Sequence, residues 1–262
     1  MQKYDVVVGA GCSFMNGDQI LDKDGKAFNP NLDERPMPGK YLSELLNTNH
    51  KNTSHTGSSN ERIIREVYNW VETNHKYKNP LIIIGLSGLA RYSFQNQITK
   101  KFFDLQPAQV SSYDEKALSS VNNKLTNNVG KTKELRTWLE YYMKYLFNVD
   151  FQSKKLQREV VMLHYYLKAK GCDYRIHNSL EDNLGDIKDK INYISFQDDK
   201  YTEQDAWKPY MMWQMKNIDG EEYDDVRNRS PITPYGKRFC KGHPSPNACK
   251  ELAERIYEDL DL

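Results

Sequence analysis

Absences narrow this chain first. Cysteine is scarce: Cys12, Cys172, Cys240 and Cys249 are scattered through 262 residues without the spacing of a disulfide framework. The expectation is a reduced, cytoplasmic protein. No apolar run approaches the roughly 18 residues of a membrane-spanning helix. Residues 1–9 run straight into a strand-like segment and have neither the apolar core nor the cleavage site of a signal peptide. A surplus of one charge is missing too, since 37 Lys and Arg face 36 Asp and Glu for a net charge of +1. Nucleic-acid binding through bulk electrostatics needs a basic surplus, which leaves only a local basic patch for that role. Apolar residues reach only 38% and mean hydropathy is −0.83, yet 12% aromatic residues can still furnish a core.

What is present alternates between strand and helix patterns. Val6-Val7-Val8 before Gly9-Ala10-Gly11 reads as a buried strand ending in a tight turn. A polar loop follows, then a short helix over residues 41–46 and a polar second strand over residues 52–55. Ser58 and Glu61 have capping-box spacing, and Ile63, Val67 and Trp70 recur on one helical face. Leu81-Ile82-Ile83-Ile84, bounded by Pro80 and Gly85, fits a central parallel strand buried on both faces. Residues 92–130 are rich in Gln, Asn, Ser and Lys and read as an insertion with little local structure. Two helical stripes follow. One is Leu135, Trp138, Leu139, Tyr142 and Leu146; the other is Leu156, Val160, Leu163 and Leu167, ending at Lys170-Gly171. Residues 172–177 and 192–196 read as further strands, and Ser245-Pro246 starts a last helix carrying Leu252, Ala253, Ile256, Tyr257 and Leu260.

The fold class expected is α/β: a three-layer α/β/α sandwich with a mostly parallel, flavodoxin-like sheet and inserted helical and loop segments. No repeat or linker divides the chain, so residues 1–262 form one expected domain with insertions at about 92–150 and 197–240.

Gly9-Ala10-Gly11 after a strand invites a dinucleotide-binding reading. That fingerprint needs a third small residue and a helix N-terminus for the pyrophosphate; here Phe14 and a polar loop follow instead. Ser13 offers another use of the turn, a hydroxyl at the carboxyl edge of a parallel sheet. Alone, such a serine more often caps a turn. Three further segments strengthen the chemical reading: Thr56-Gly57-Ser58-Ser59-Asn60, Gly85-Leu86-Ser87 with Arg91, and Gly242-His243-Pro244-Ser245. In a doubly wound sheet all can meet on one edge, giving a nucleophile, Gly and Asn donors, an arginine and a histidine base.

This set resembles the SGNH (GDSL-type) hydrolases, in particular a divergent branch common in bacteriophage genomes. Gly11-Cys12-Ser13-Phe14 resembles the block that carries the nucleophilic serine. Gly57 with Ser59-Asn60 resembles the block whose glycine amide helps form the oxyanion hole, and His243-Pro244 the block of the histidine base. The resemblance implies an esterase with Ser13 and His243 catalytic and the Gly57 amide at the oxyanion, where Asn60 or Ser87 would stand in for the family's asparagine donor. Two departures stand out. Ser87 occupies the place where the family has an asparagine donor, and Cys240 and Lys241 occupy those where it has an aspartate. The histidine is then oriented by a backbone carbonyl or by an Asp from elsewhere, Asp18 being one candidate, or hydrolysis has been lost. Arg91 is a candidate for an anionic part of the substrate or, equally, for an ion pair that fixes the insertion.

Other features weigh less. Cys240, His243 and Cys249 have loosely ligand-like spacing, which His55 and His177 could join, but no Cys-x-x-Cys pair accompanies them, so no metal is expected. His50, His75 and His164 read as solvated or partly packed surface residues. Trp207, Tyr210 and Trp213 could stack on a carbohydrate or nucleobase, and Lys131, Lys133, Arg136, Lys154, Lys155 and Arg158 could form a basic patch. The leading expectation is a cofactor-free serine hydrolase acting on a small ester, an acylated carbohydrate or nucleoside-like molecule. A non-catalytic binding protein with the same pocket is the alternative, an interaction protein assembling through the insertion a third, and a dinucleotide oxidoreductase the last.

Overall fold

The computed structural model describes residues 3–17, 35–95, 99–100, 102–105, 132–180, 183–194, 246–260 and 262. At its centre is a parallel sheet of β1 (Val6–Gly11), β2 (Asn49–Asn52), β3 (Pro80–Leu86) and β6 (Asp173–Asn178), in the order β2-β1-β3-β6. This is the first part of the flavodoxin-like 2-1-3-4-5 order. Every residue of β1 and β3 is buried, as expected of aliphatic runs covered on both faces.

Strand alternation divides the core into two layers. Val6, Val8, Ile82 and Ile84 face one way, against α3 (Asn60–Thr73) and α5 (Val149–Ala169). Val7, Leu81 and Ile83 face the other way, against Leu42 of α2 (Pro38–Leu45) and Leu252 and Ile256 of α6 (Pro246–Glu258). The three-layer α/β/α sandwich expected from the sequence is therefore the architecture observed. Among the described residues, no helix is long and apolar enough to cross a membrane.

Several local expectations shift, each for a physical reason. The second strand is Asn49–Asn52 rather than residues 52–55, because Asn52 Oδ1 accepts from Ser54 N at 3.0 Å and turns the chain out of the ladder. The cap of α3 is Ser59, whose side chain accepts from Arg62 N; Ser58 instead donates its hydroxyl to His55 O at 2.9 Å. The segment read as an insertion with little local structure opens with an antiparallel hairpin, β4 (Tyr92–Gln95) and β5 (Phe102–Leu105). After it come α4 (Thr132–Tyr141) and one π turn, Tyr142–Leu146. Leu135 and Leu139 are buried, whereas Trp138 and Tyr257, read as parts of apolar stripes, are exposed. Residues 192–194 run beside β6 but make only one bridge, Ile176 to Tyr193. His164, read as a surface residue, is buried beside the Val160–Leu163–Leu167 stripe and hydrogen-bonds the Tyr174 hydroxyl. Burial pushes its pKa down. Residues 197–240, with Trp207, Tyr210 and Trp213, lie outside the described residues.

Candidate active site

Strand order alone points to one place on this sheet. From β1 the chain moves outward to β2, then returns past β1 to β3, so the crossovers leave β1 and β3 in opposite directions. Loops part there, and open α/β sheets bind ligands in the crevice beyond the carboxyl ends of the two strands. Gly11 and Gly85 are register partners at that point. Ser13 follows the first and Ser87 the second.

Ser13 opens α1 (Ser13–Asn16), a single turn capped by the Cys12 carbonyl, which accepts from Met15 N and Asn16 N at 3.1 Å each. Gly17 ends it at φ +63°, a conformation glycine adopts without strain. Ser13 itself is 3% exposed. A four-residue turn is not the helix that a pyrophosphate site needs, in line with the poor fit of the dinucleotide fingerprint.

The Gly57 loop reaches the same edge because it stays bonded to β1 after the β2 ladder ends. Thr53 N donates to Gly9 O at 2.8 Å and His55 N to Gly11 O at 3.1 Å. Ser58 N then closes back on His55 O at 3.2 Å, with Gly57 at φ +75° between them. On the other side, Asn52 Nδ2 donates to Asn16 Oδ1 at 2.7 Å and ties the end of β2 to α1.

Asn60, one of the two residues expected to stand in for the family's asparagine donor, lies against Ser87. Its carboxamide is engaged with the backbone of Ser87: Ser87 N donates to Asn60 Oδ1 at 2.7 Å, and Asn60 Nδ2 donates to Ser87 O at 2.9 Å. The Ser87 hydroxyl is buried and has no hydrogen-bond partner among the described residues. A buried hydroxyl without a partner costs free energy, about 1–3 kcal/mol, and such groups call for an explanation.

Arg91, four residues further on, donates to Ser58 O at 3.5 Å. It lines a cleft with Asn60, Leu89, Tyr92, Lys155 and Glu159. Lys155 forms ion pairs with Glu61 and Glu159, so it is a neutralised member of this cleft and not part of an open basic patch. Burial raises the pKa of Glu159.

The sequence reading treats His177 only as a possible metal ligand and does not name Ser179, yet the end of β6 lies beside the end of β3. His177 and Ser179 are fully buried, with Ser179 Oγ and His177 Nε2 3.3 Å apart, and Ser179 N donates to Leu86 O at 2.9 Å. A Cβ on Gly85 would lie 2.7 Å from Ser179 Oγ and 3.0 Å from His177 Nε2, so this pair adjoins the strand carrying Ser87. Burial holds the His177 imidazole neutral by lowering its pKa to about 3. A polar residue just past a strand end was the available signal, the same one that drew attention to Ser13. His243 and Asp18 lie outside the described residues, as do Cys240 and Lys241. Cys249 is buried in α6, where burial pushes its thiol pKa up. Among the described residues, no three His, Cys, Asp or Glu side chains come together as a metal site.

No protein-family model matches the sequence, and no curated protein does. By structure the chain is similar to the psychrotrophic esterase EstA of Pseudoalteromonas sp., at a TM-score of 0.43 and 11% identity, over 97% of this chain and 95% of that one. It is likewise similar to a GDSL-like lipase of Bacteroides thetaiotaomicron, at a TM-score of 0.40 and 9% identity, over 97% and 88%. The likeness is one of fold.

Proposed function

We propose that this chain is a serine acyl hydrolase of the SGNH type, with Ser13 as nucleophile and His243 as base. Support comes from one juxtaposition: the Ser13 turn, the Gly57 loop and the Ser87 strand end share the carboxyl edge at the switch point between β1 and β3. His243 takes the Ser13 Oγ proton as that oxygen attacks the acyl carbon. The carbonyl oxygen becomes an oxyanion, held by the backbone N–H groups of Ser13 and Gly57 and by the Ser87 hydroxyl. Collapse breaks the ester C–O bond, and the alcohol leaves with the proton from His243. Water, deprotonated by His243, then releases the acid and regenerates Ser13.

In this reading Asn60 fixes the Ser87 backbone and leaves the Ser87 hydroxyl as the side-chain donor. The Ser87 hydroxyl, without a partner among the described residues, fits a donor to a charge that appears only during reaction. Arg91 binds an anionic part of the substrate from the cleft it lines, which fits a small ester on an acidic sugar or a nucleoside-like molecule. No cofactor enters any step. Hydrolysis of short p-nitrophenyl esters tests the proposal. Wild type is expected to turn over and Ser13→Ala and His243→Ala to lose activity; an inactive wild type overturns it.

One observation favours a second reading. Cys240 and Lys241 stand where an orienting aspartate is expected, and without an orienter the pocket would serve as a binding site that has lost hydrolysis.

A further inference from the structure

The inserted hairpin is clasped to the active-site edge at one carboxylate. Asp104, on β5, is only 5% exposed at its side chain. Its Oδ1 accepts from Ser59 N at 3.2 Å and from Ser59 Oγ at 2.7 Å, and its Oδ2 accepts from Arg62 Nη1 at 2.9 Å. Ser59 in turn accepts from Arg62 N as the cap of α3. Three more contacts seat the hairpin on the polar face of α3. Glu61 accepts from Ser93 N at 3.1 Å, Arg65 donates to Ser93 Oγ at 3.3 Å, and the Arg65 guanidinium lies 3.9 Å from the Phe102 ring centre.

Ser59 is the residue through which these contacts reach the chemistry. It directly follows the Gly57-Ser58 turn, and Asn60 beside it pins Ser87. Ser58 is held at both of its backbone polar groups, its N–H by His55 O and its carbonyl by Arg91. Asp104 adds the grip on the next N–H, so residues 58–60 are each fixed from a different segment. A carboxylate at this helix N-terminus is also favoured by the helix dipole.

We infer that Asp104 is a positioning residue: acting through Ser59, it sets the Gly57 amide and, through Asn60, the Ser87 strand end for reaction at Ser13. The inference rests on the reading of Ser13 as nucleophile. It gives the insertion a task in the reaction, where mere attachment would make Asp104 a stabilising contact and nothing more.

The test compares Asp104→Ala, Asp104→Asn, Ser59→Ala and the Asp104→Ala/Ser59→Ala pair. The readouts are fluorophosphonate labelling rates and kcat and KM on short p-nitrophenyl esters, at a temperature where circular dichroism shows each variant folded. Displacement of a catalytic group by about 1 Å can cost about 100-fold. Asp104→Ala is expected to lower the labelling rate and kcat by about 10- to 100-fold with KM within about twofold. Asp104→Asn keeps an oxygen that accepts from Ser59 and is expected to recover most of the loss. The double variant is expected to fall well short of the product of the two single deficits, because the Ser59 Oγ–Asp104 bond is lost in both. A folded Asp104→Ala with wild-type kcat, or deficits that multiply in the double variant, overturns the inference. Should Asp104→Ala not fold, Ser59→Ala and Asp104→Asn carry the same comparison. An unlabelled wild type instead removes the nucleophile reading. In that case unchanged amide exchange at Ser58 and Ser59 in Asp104→Ala overturns the grip itself, and faster exchange upholds it.

Discussion

Asn60 and Ser87 hold each other by two hydrogen bonds, side-chain carboxamide to main-chain N–H and C=O, across 27 residues of sequence. Both bonds are buried, so neither partner has water in reserve. Asn60→Ala leaves the N–H and C=O of Ser87 unpaired and is expected to cost about 1–3 kcal/mol per abandoned group. Asn60→Asp sets a carboxylate oxygen against the Ser87 carbonyl and should be worse. Urea unfolding midpoints measure the loss, and a stability within about 0.5 kcal/mol of wild type would contradict the role.

The Ser87 hydroxyl is buried and has no hydrogen-bond partner among the described residues. If it meets the oxyanion, Ser87→Ala should lower kcat by about 100- to 1000-fold. Stability should hold or rise slightly, since the substitution removes an unsatisfied buried group. Equal kcat values for the two proteins would move the donor elsewhere.

Arg91 separates substrate classes. Arg91→Ala is expected to raise KM for esters bearing a carboxylate or phosphate by about 10-fold or more, corresponding to one charge-assisted contact, and to leave neutral esters unaffected. An equal effect on both would make Arg91 a support of the Ser58 turn and not a binding group.

His177 makes the fold sensitive to acid. Folded, its pKa is lowered to about 3; unfolded, it returns to about 6.5. Between those values the unfolded chain binds a proton that the folded chain does not. Stability is therefore complete above about pH 6.5 and falls as pH drops through that window, by up to about 1.4 kcal/mol per unit. His164, also lowered by burial, acts in the same direction. Urea midpoints at pH 7.5, 6 and 5 should fall less steeply for His177→Gln than for wild type. Parallel curves would contradict the prediction.

Gly85 shows how little room the switch point has. A Cβ there would lie 2.6 Å from Met15 Cγ, 2.7 Å from Ser179 Oγ and 3.0 Å from His177 Nε2. Gly85→Ala is expected to destabilise by about 1–3 kcal/mol, as overpacking of a filled core does. A thermal midpoint unchanged from wild type would show that these side chains can move aside.

The sequence made the frame legible and much of the site's wiring invisible, for one physical reason. The runs of β1 and β3 and the Leu156–Val160–Leu163–Leu167 stripe announce themselves because burial selects apolar residues at fixed periods. Asn49-His50-Lys51-Asn52 forms a strand with alternately exposed positions and no apolar face, so nothing in its composition marks its bounds. Asp104 is a lone acid in a polar stretch; its importance comes from Ser59 and Arg62, distant in sequence, and no spacing encodes that. Asn60 reads from the sequence as a polar residue two positions after the turn that ends at Ser58. Which partner its amide takes depends on where β3 ends, and only the fold determines that.

The central claim is that Ser13 is a nucleophile. Its direct measurement is intact mass and peptide mapping after treatment with a fluorophosphonate. The account predicts one adduct per chain, on the peptide containing Ser13, and none on Ser13→Ala. An unmodified wild type, or an adduct that persists in Ser13→Ala, would contradict it.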